Sequence, residues 1–89
     1  MVEKTVVIQN RLGLHARPAS RFAQLASAFK ADIWLVRDGL SVDGKSILEV
    51  LTLACPAGTR LIVRARGHDA GEAVEALADL VATRFGEID

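Results

Sequence analysis

Cysteine is almost absent from this 89-residue sequence, which contains Cys55 alone. A single cysteine cannot form an intramolecular disulfide, so a disulfide framework is excluded and a reducing compartment is expected. The histidines His15 and His68 are the only two, which leaves too few ligands for a structural zinc site. We therefore expect neither a bound metal nor a cofactor.

Net charge and long apolar runs are also missing. Eleven Lys and Arg residues balance eleven Asp and Glu residues, so no overall field attracts nucleic acid or an anionic membrane. No apolar run approaches the ~18 residues of a membrane span, and residues 1–10 lack the segments of a secretory signal. We expect a cytoplasmic monomer, with no nucleic-acid partner, that finds its partners through local surface features.

The composition is that of a globular domain, with 51% apolar and 25% charged residues. A chain of this length has room for one hydrophobic core only, so residues 1–89 are expected to form a single domain. A domain this small rarely encloses a deep active site. Functional residues are therefore expected at the surface.

Apolar periodicity and turn signals divide the chain into short elements. Asp38-Gly39 suits the positive φ angles of a two-residue hairpin turn. The predicted order is a strand at 2–9, a helix at 16–29, strands at 32–37 and 40–43, a short helix at 47–53, a strand at 60–66 and a helix ending near Gly86. Half-buried strands and helices with single apolar stripes fit two layers, a sheet with one face covered by helices, which is an α+β fold.

Two helix starts carry the spacing of a capping box, in which two side chains each bond the backbone of the other residue. Ser46 and Glu49 form one such pair, and Asp69 and Glu72 form the other. Within the first strand, Val2, Val6 and Ile8 are predicted to share one face. Lys4, on the same face, is the one residue that breaks this pattern.

The segment GLHARPAS, residues 13–20, combines groups that bind and react with anions. Pro18 is tolerated in a first helical turn, so His15 lies at the N-terminus of the first helix. The unpaired N–H groups of that helix start and the Arg17 guanidinium form an anion site. The same positive charge disfavours a cationic imidazole, and the neutral imidazole is a nucleophile. His15 is therefore a candidate phosphoryl acceptor, although a lone histidine there more often only caps the helix.

The segment GLHARPAS resembles the phosphorylation-site motif of the HPr family, the histidine-containing phosphocarriers of the bacterial sugar phosphotransferase system. A second segment, residues 44–53 (GKSILEVLTL), is similar to the regulatory serine region of that family. Element order and length agree over the whole chain. The resemblance implies an open-faced β-sandwich with the order βαββαβα, in which an antiparallel sheet of strand order 1-4-2-3 has helices on one face.

The resemblance also implies a reaction. His15 would accept a phosphoryl group, at the ring nitrogen nearer the backbone, from the phosphohistidine of enzyme I, which is charged by phosphoenolpyruvate. It would then pass the group to a histidine of an enzyme IIA domain for sugar uptake, as a stoichiometric carrier and not as an enzyme. Arg17 would neutralise the phosphate oxygens, and the amides of Ala16 and Arg17 would bind them.

In the family, the short helix and the start of the first helix form a shared docking surface. A short helix cannot bury every apolar side chain, which supports exposure of some of them, although Leu51 and Val50 could equally belong to the core. The candidate docking residues are Leu12, Ala16, Ser20, Gln24, Lys45, Ile47, Leu48 and Leu51.

Ser46 has two interpretations. As an N-cap it stabilises the short helix by roughly 1 kcal/mol, which is sufficient reason for a serine. The family resemblance adds phosphorylation by an HPr kinase/phosphorylase, which would regulate carbon use with a transcriptional regulator as partner. Glu49 stands where several relatives have glycine, and its carboxylate would repel a phosphate on Ser46.

Two alternatives to the sugar carrier stay open. The first is a paralogue of the same fold that serves a nitrogen-related or purely regulatory branch of phosphotransfer. The second is a non-catalytic adaptor in which His15 is a cap only. We assign no role to His68, and Cys55 is interpreted as a small apolar residue near the end of the short helix.

Overall fold

The structure is a computed structural model that describes residues 1–87. Its strands form one antiparallel sheet in the order β1-β4-β2-β3, which confirms the predicted open-faced sandwich. The elements are β1 (Val2–Val7), α1 (Ala16–Ser27), β2 (Asp32–Arg37), β3 (Leu40–Asp43), α2 (Ile47–Thr52), β4 (Arg60–Arg66) and α3 (Ala70–Ala82), followed by a 3-10 turn at Arg84–Gly86. The first two helices therefore end one or two residues earlier than predicted.

The core lies between the helices and one face of the sheet. In β4, Leu61, Val63 and Ala65 point into it and are fully buried, while Ile62 between them lies half-buried on the outer face. Phe22 of α1 is also fully buried there. Burial of these side chains is the main favourable contribution to folding.

The hairpin between β2 and β3 forms as the Asp38-Gly39 dipeptide predicts. Asp38 has φ +49° and Gly39 has φ +83°, the left-handed conformations that a two-residue turn of this kind requires. The register pairs Arg37 with Leu40 across the turn. The short edge strand β3 is thereby held against β2.

The edge strand β1 departs from the predicted alternation at its free end. Val6 and Ile8 are buried as expected, but Val2, the first residue of this edge strand, is exposed. Lys4 shares their face and places its Nζ atom 3.5 Å from a carboxylate oxygen of Glu75 on α3. The charge of Lys4 is therefore explained by an edge position that solvent still reaches.

Neither predicted capping box forms in full. The Ser46 hydroxyl accepts a hydrogen bond from the Glu49 amide at 3.3 Å, but the Glu49 carboxylate accepts from the Asp43 amide at 3.1 Å. Only the serine half of the Ser46–Glu49 box is present. The carboxylate turns to Asp43 because that amide, at the end of β3, also needs an acceptor.

Asp69 is the N-cap residue of α3, yet its side chain makes no capping hydrogen bond, so the predicted box with Glu72 is wrong. Its carboxylate accepts from the amides of Lys30 and Ala31 at 2.9 and 2.8 Å. The bond from the Lys30 amide is the main reason why the pKa of Asp69 is lowered from its usual value. Asp69 therefore ties the end of α1 to the start of α3.

The chain reverses direction after α3, and the prediction that this helix continues to Gly86 is wrong. Arg84, Phe85 and Gly86 have φ angles of +58°, +56° and +76°, a left-handed run that two non-glycine residues adopt only at a cost. Burial of the Phe85 ring, which is 1% exposed, offsets that cost. Arg21 of α1 donates a hydrogen bond to the Phe85 carbonyl, so the turn is fixed against α1.

Gly13 is expected to tolerate no side chain. Its φ is +72°, and a Cβ atom there would clash with the Cys55 carbonyl and lie 2.9 Å from the Pro56 Cα atom. Both contacts are with backbone, which cannot easily move. We predict that Gly13→Ala lowers the free energy of unfolding by about 2–4 kcal/mol, measured by urea denaturation.

Gly71→Ala is the matched control for this prediction. A Cβ atom at Gly71 would meet no atom within 4 Å, and the position lies in α3. Alanine there should raise the free energy of unfolding by up to about 1 kcal/mol. Equal destabilisation by the two substitutions would contradict the steric explanation.

Candidate functional site

His15 stands at the start of α1 with its ring reachable from solvent. It is the N-cap residue, with extended backbone angles of φ −87° and ψ −168°, and its side chain makes no capping hydrogen bond. The side chain is 36% exposed. The alternative in which the imidazole only caps the helix is therefore not supported by the geometry.

The backbone that leads into His15 is fixed on the neighbouring loop. The Gly13 amide donates to the Asn10 carbonyl at 3.0 Å, and the Leu14 amide donates to the Cys55 carbonyl at 2.8 Å. The Leu14 side chain is buried. These contacts place the imidazole at one end of α1 with little freedom of the main chain.

The first turn of α1 offers donors to an anion. The helical hydrogen bonds begin with the bond from the Ala19 amide to the His15 carbonyl at 2.9 Å, and Pro18 has no N–H group. The amides of Ala16 and Arg17 thus precede this ladder and lie at the positive end of the helix. An anion beside His15 would meet both the helix dipole and these donors.

Arg17 is exposed and lies beside the same helix end. It lines a recess of about 330 Å³ together with Arg21, Gly86 and Glu87. The structure therefore brings together two guanidinium groups, one carboxylate and the start of α1. Charged groups at this surface can stabilise a phosphate by charge-assisted hydrogen bonds.

The residue that sequence reasoning missed is Glu87. Its Oε2 and Oε1 atoms lie 3.1 and 3.3 Å from the Nε2 atom of His15, and its side chain is 15% exposed. The contact joins residues 72 positions apart, and no local spacing in the sequence predicts such a pair. It forms because the left-handed turn at Arg84–Gly86 brings the chain back to α1.

Asn10 holds the Glu87 carboxylate by a hydrogen bond. Its side chain is fully buried, and its Nδ2 atom donates to the Glu87 Oε1 atom at 2.9 Å and also to the Gly13 carbonyl. Within residues 1–87 its Oδ1 atom has no hydrogen-bond partner. A buried amide with one unpaired atom is costly, which indicates that its position is set by the two bonds that it donates.

The candidate docking residues differ in exposure. Leu12, Leu48 and Ile47 are 65%, 78% and 40% exposed. Leu51 is partly buried against the core, and Val50 is fully buried. Ile47 and Leu48 thus form an exposed apolar surface on α2, as a surface for another protein requires, and Leu12 is a further exposed leucine that lies before α1.

Further candidates lie between α1 and α2. Gln24, Lys45 and Ile47 line a shallow recess there. The Lys45 Nζ atom donates to the Phe29 carbonyl at 2.8 Å, so its ammonium group is held at the end of α1. Ser20 is half-buried on α1, one helical turn after the exposed Ala16.

The side chains of Cys55 and His68 take no part in this arrangement. Cys55 is buried, and burial raises the pKa of its thiol, which the neighbouring Arg37 opposes only in part. The interpretation of Cys55 as a small apolar residue is consistent with that environment. His68 is exposed in the turn before α3.

Metal ligands and membrane spans are not evident in the described part of the chain. Within residues 1–87, no group of three or more His, Cys, Asp or Glu side chains could hold a metal ion. No helix among the same residues is long and apolar enough to cross a membrane.

Comparisons with known proteins identify the family to which the chain belongs. Residues 2–83 match the family described as "PTS HPr component phosphorylation site". The phosphocarrier protein HPr of Neisseria meningitidis is 41% identical over 87 residues, 98% of each chain. The crystal structure of HPr-C-His from Thermoanaerobacter tengcongensis has a TM-score of 0.95 and 43% identity over all of both chains. An HPr dimer from the same organism has a TM-score of 0.78 and 44% identity, covering 98% of this chain and 100% of that chain.

Proposed function

This chain belongs to the HPr family of phosphocarrier proteins, and from this premise we propose that His15 is the residue that carries the phosphoryl group. The supporting observation is the position of its ring, which is exposed to solvent at the start of α1 beside Arg17. Donor and acceptor proteins can both reach such a ring. A carrier needs this access more than it needs an enclosed pocket.

The transfer is a substitution at phosphorus. The Nε2 atom of His15 faces Glu87, so Nδ1, the ring nitrogen nearer the backbone, attacks. A bond forms between Nδ1 and phosphorus, and the bond between phosphorus and the donor's ring nitrogen breaks, leaving its electron pair on that nitrogen. The amides of Ala16 and Arg17 and the Arg17 guanidinium neutralise the phosphate oxygens throughout.

The proposed partners are enzyme I as donor and enzyme IIA domains as acceptors, in the sugar branch of the phosphotransferase system and in the cytoplasm. A nitrogen-related branch would use the same His15 chemistry with different partners. Transfer assays with the purified enzymes I of both branches separate the two. We keep the monomer as the proposed active state, because an exposed His15 does not need a second subunit to complete its surroundings.

We predict that incubation with phosphoenolpyruvate and enzyme I adds the mass of one phosphate to the protein. The product should be acid-labile and base-stable, as expected of a phosphohistidine, and His15→Ala should abolish it. Intact-mass spectrometry measures both. His68→Ala is the matched control and should be phosphorylated like the unaltered protein.

No added phosphate on the unaltered protein would favour the non-catalytic adaptor. Label that persists in the His15→Ala variant would show that the residue assignment is wrong.

We propose that both partner proteins dock on the apolar surface on α2 and on Leu12. Leu48 and Leu12 are the most exposed of these side chains, and a docked protein would bury them. Burial of one leucine contributes about 1.5–3 kcal/mol, and a charge in its place would have to be desolvated. Both effects act on binding and leave the imidazole untouched.

Leu48→Glu is therefore expected to lower the second-order rate of phosphoryl transfer from enzyme I by at least about tenfold. Leu40→Glu is the matched control, because Leu40 is a 57% exposed leucine that lies in β3. Stopped-flow or quench-flow transfer assays give the rates. The docking surface would be refuted if the two variants transferred at the same rate.

We propose Ser46 as a regulatory phosphorylation site whose modification Glu49 opposes, with an HPr kinase/phosphorylase and a transcriptional regulator as the further partners. Ser46 lies at the N-cap of α2, where the helix dipole favours negative charge. The Glu49 carboxylate accepts from the Asp43 amide, which holds it near the same helix end. A phosphate on Ser46 would meet repulsion from that carboxylate.

Treatment with an HPr kinase and ATP should therefore phosphorylate Ser46 slowly, and Glu49→Gln should speed the reaction by about threefold to tenfold. Phosphopeptide mass spectrometry follows the product, and Glu72→Gln controls for the loss of one charge elsewhere. Absence of phosphate on Ser46 in both the unaltered protein and Glu49→Gln would leave Ser46 as an N-cap alone.

A further inference from the structure

We propose that Glu87 is a positioning residue for phosphoryl transfer, which keeps a proton on Nε2 of His15 and so keeps the lone pair on Nδ1. The inference rests on the proposed function of His15. It concerns the Nε2 atom of the ring, whereas the phosphoryl group would bind to Nδ1. It also gives the turn at Arg84–Gly86 a function, because this turn carries Glu87 to the ring. Glu87 lies outside the HPr-like motif at residues 13–20.

The geometry of the pair supports a hydrogen bond with a defined direction. Both carboxylate oxygens of Glu87 lie within 3.3 Å of the Nε2 atom. An ionised carboxylate only accepts hydrogen bonds, so Nε2 must be the donor. In a neutral imidazole the proton on Nε2 leaves the other ring nitrogen, Nδ1, with its lone pair.

Glu87 is held in place by one contact of its own side chain and by two contacts of Phe85, two residues before it. The buried Asn10 donates to its Oε1 atom at 2.9 Å. The buried Phe85 anchors the turn two residues earlier, and Arg21 donates to the Phe85 carbonyl. A strained left-handed run that is anchored in this way indicates a geometry that the fold maintains and not a chance contact.

The charges around Glu87 allow it to act on the ring. Arg17 and Arg21 line the same recess as Glu87, so two cationic side chains accompany the carboxylate. Arg17, which would also neutralise the phosphate oxygens, offers positive charge to both anions. Repulsion between carboxylate and phosphate is thereby reduced.

The step balances without an external acid or base. When Nδ1 attacks phosphorus, the ring becomes cationic and keeps its Nε2 proton, which the Glu87 carboxylate stabilises by a charge-assisted hydrogen bond. When the group moves on, the bond between Nδ1 and phosphorus breaks and its electron pair returns to Nδ1. The proton stays on Nε2 during both uptake and release of the phosphoryl group. On release, a ring that carries this proton leaves as neutral imidazole and is therefore a better leaving group than a ring without it.

The first test is spectroscopic and does not depend on phosphorylation. Nitrogen-15 NMR of the unphosphorylated protein should show neutral His15 protonated on Nε2 alone. In Glu87→Ala, a measurable fraction should carry the proton on Nδ1 instead. Glu75→Ala is the matched control, because Glu75 is a surface glutamate that pairs with Lys4, and it should leave the His15 tautomer unchanged.

The second test measures the lifetime of the phosphorylated protein after enzyme I has been removed. Glu87→Gln keeps an oxygen that can accept from Nε2 but removes the charge, so the lifetime at neutral pH should lengthen by about threefold to tenfold. Phosphoryl uptake should slow by a similar factor. Glu75→Gln should change neither quantity.

An unchanged tautomer in Glu87→Ala would overturn the proposal, and so would an unchanged lifetime in Glu87→Gln. If no variant accepts phosphate, the proposed function fails, and the NMR comparison alone then decides whether Glu87 fixes the ring. Circular dichroism of each variant shows that the fold is kept.

Discussion

The site depends on one backbone contact, the docking of residues 13 and 14 onto the loop at Cys55. The Leu14 amide bonds the Cys55 carbonyl at 2.8 Å, and the approach is close enough that only a glycine fits at position 13. The buried side chain of Leu14 further fixes residues 13 and 14 against the core. With the main chain fixed on one side and α1 starting on the other, the imidazole of His15 is displayed outside the fold.

A second constraint acts from the far end of the described chain. The left-handed turn after α3 carries Glu87 to the Nε2 atom of His15, and Arg17 and Arg21 line a recess together with Glu87. The carboxylate that contacts the ring is thus accompanied by two guanidinium groups. Such an arrangement suits a group that must accept and release a phosphoryl group with similar ease, because the same contacts serve both directions of transfer.

Much of the fold and half of the site follow from local sequence. The Asp38-Gly39 turn, the alternation in β4 and the place of His15 before Pro18 each arise from the preferences of neighbouring residues, and all agree with the structure. Three of the failures share a cause: the carboxylates of Glu49, Asp69 and Glu87 bond groups in other segments of the chain. Asp69 bonds amides 38 and 39 residues away, and no periodicity encodes such contacts.

We propose that Nδ1 of His15, and not Nε2, carries the phosphoryl group. Phosphorus-31 NMR of the phosphorylated protein separates the two isomers by their chemical shifts and shows at once whether a nitrogen–phosphorus bond exists. We expect a single resonance of Nδ1-linked phosphohistidine. A resonance of the Nε2-linked isomer, or of phosphate bound to oxygen alone, would contradict it.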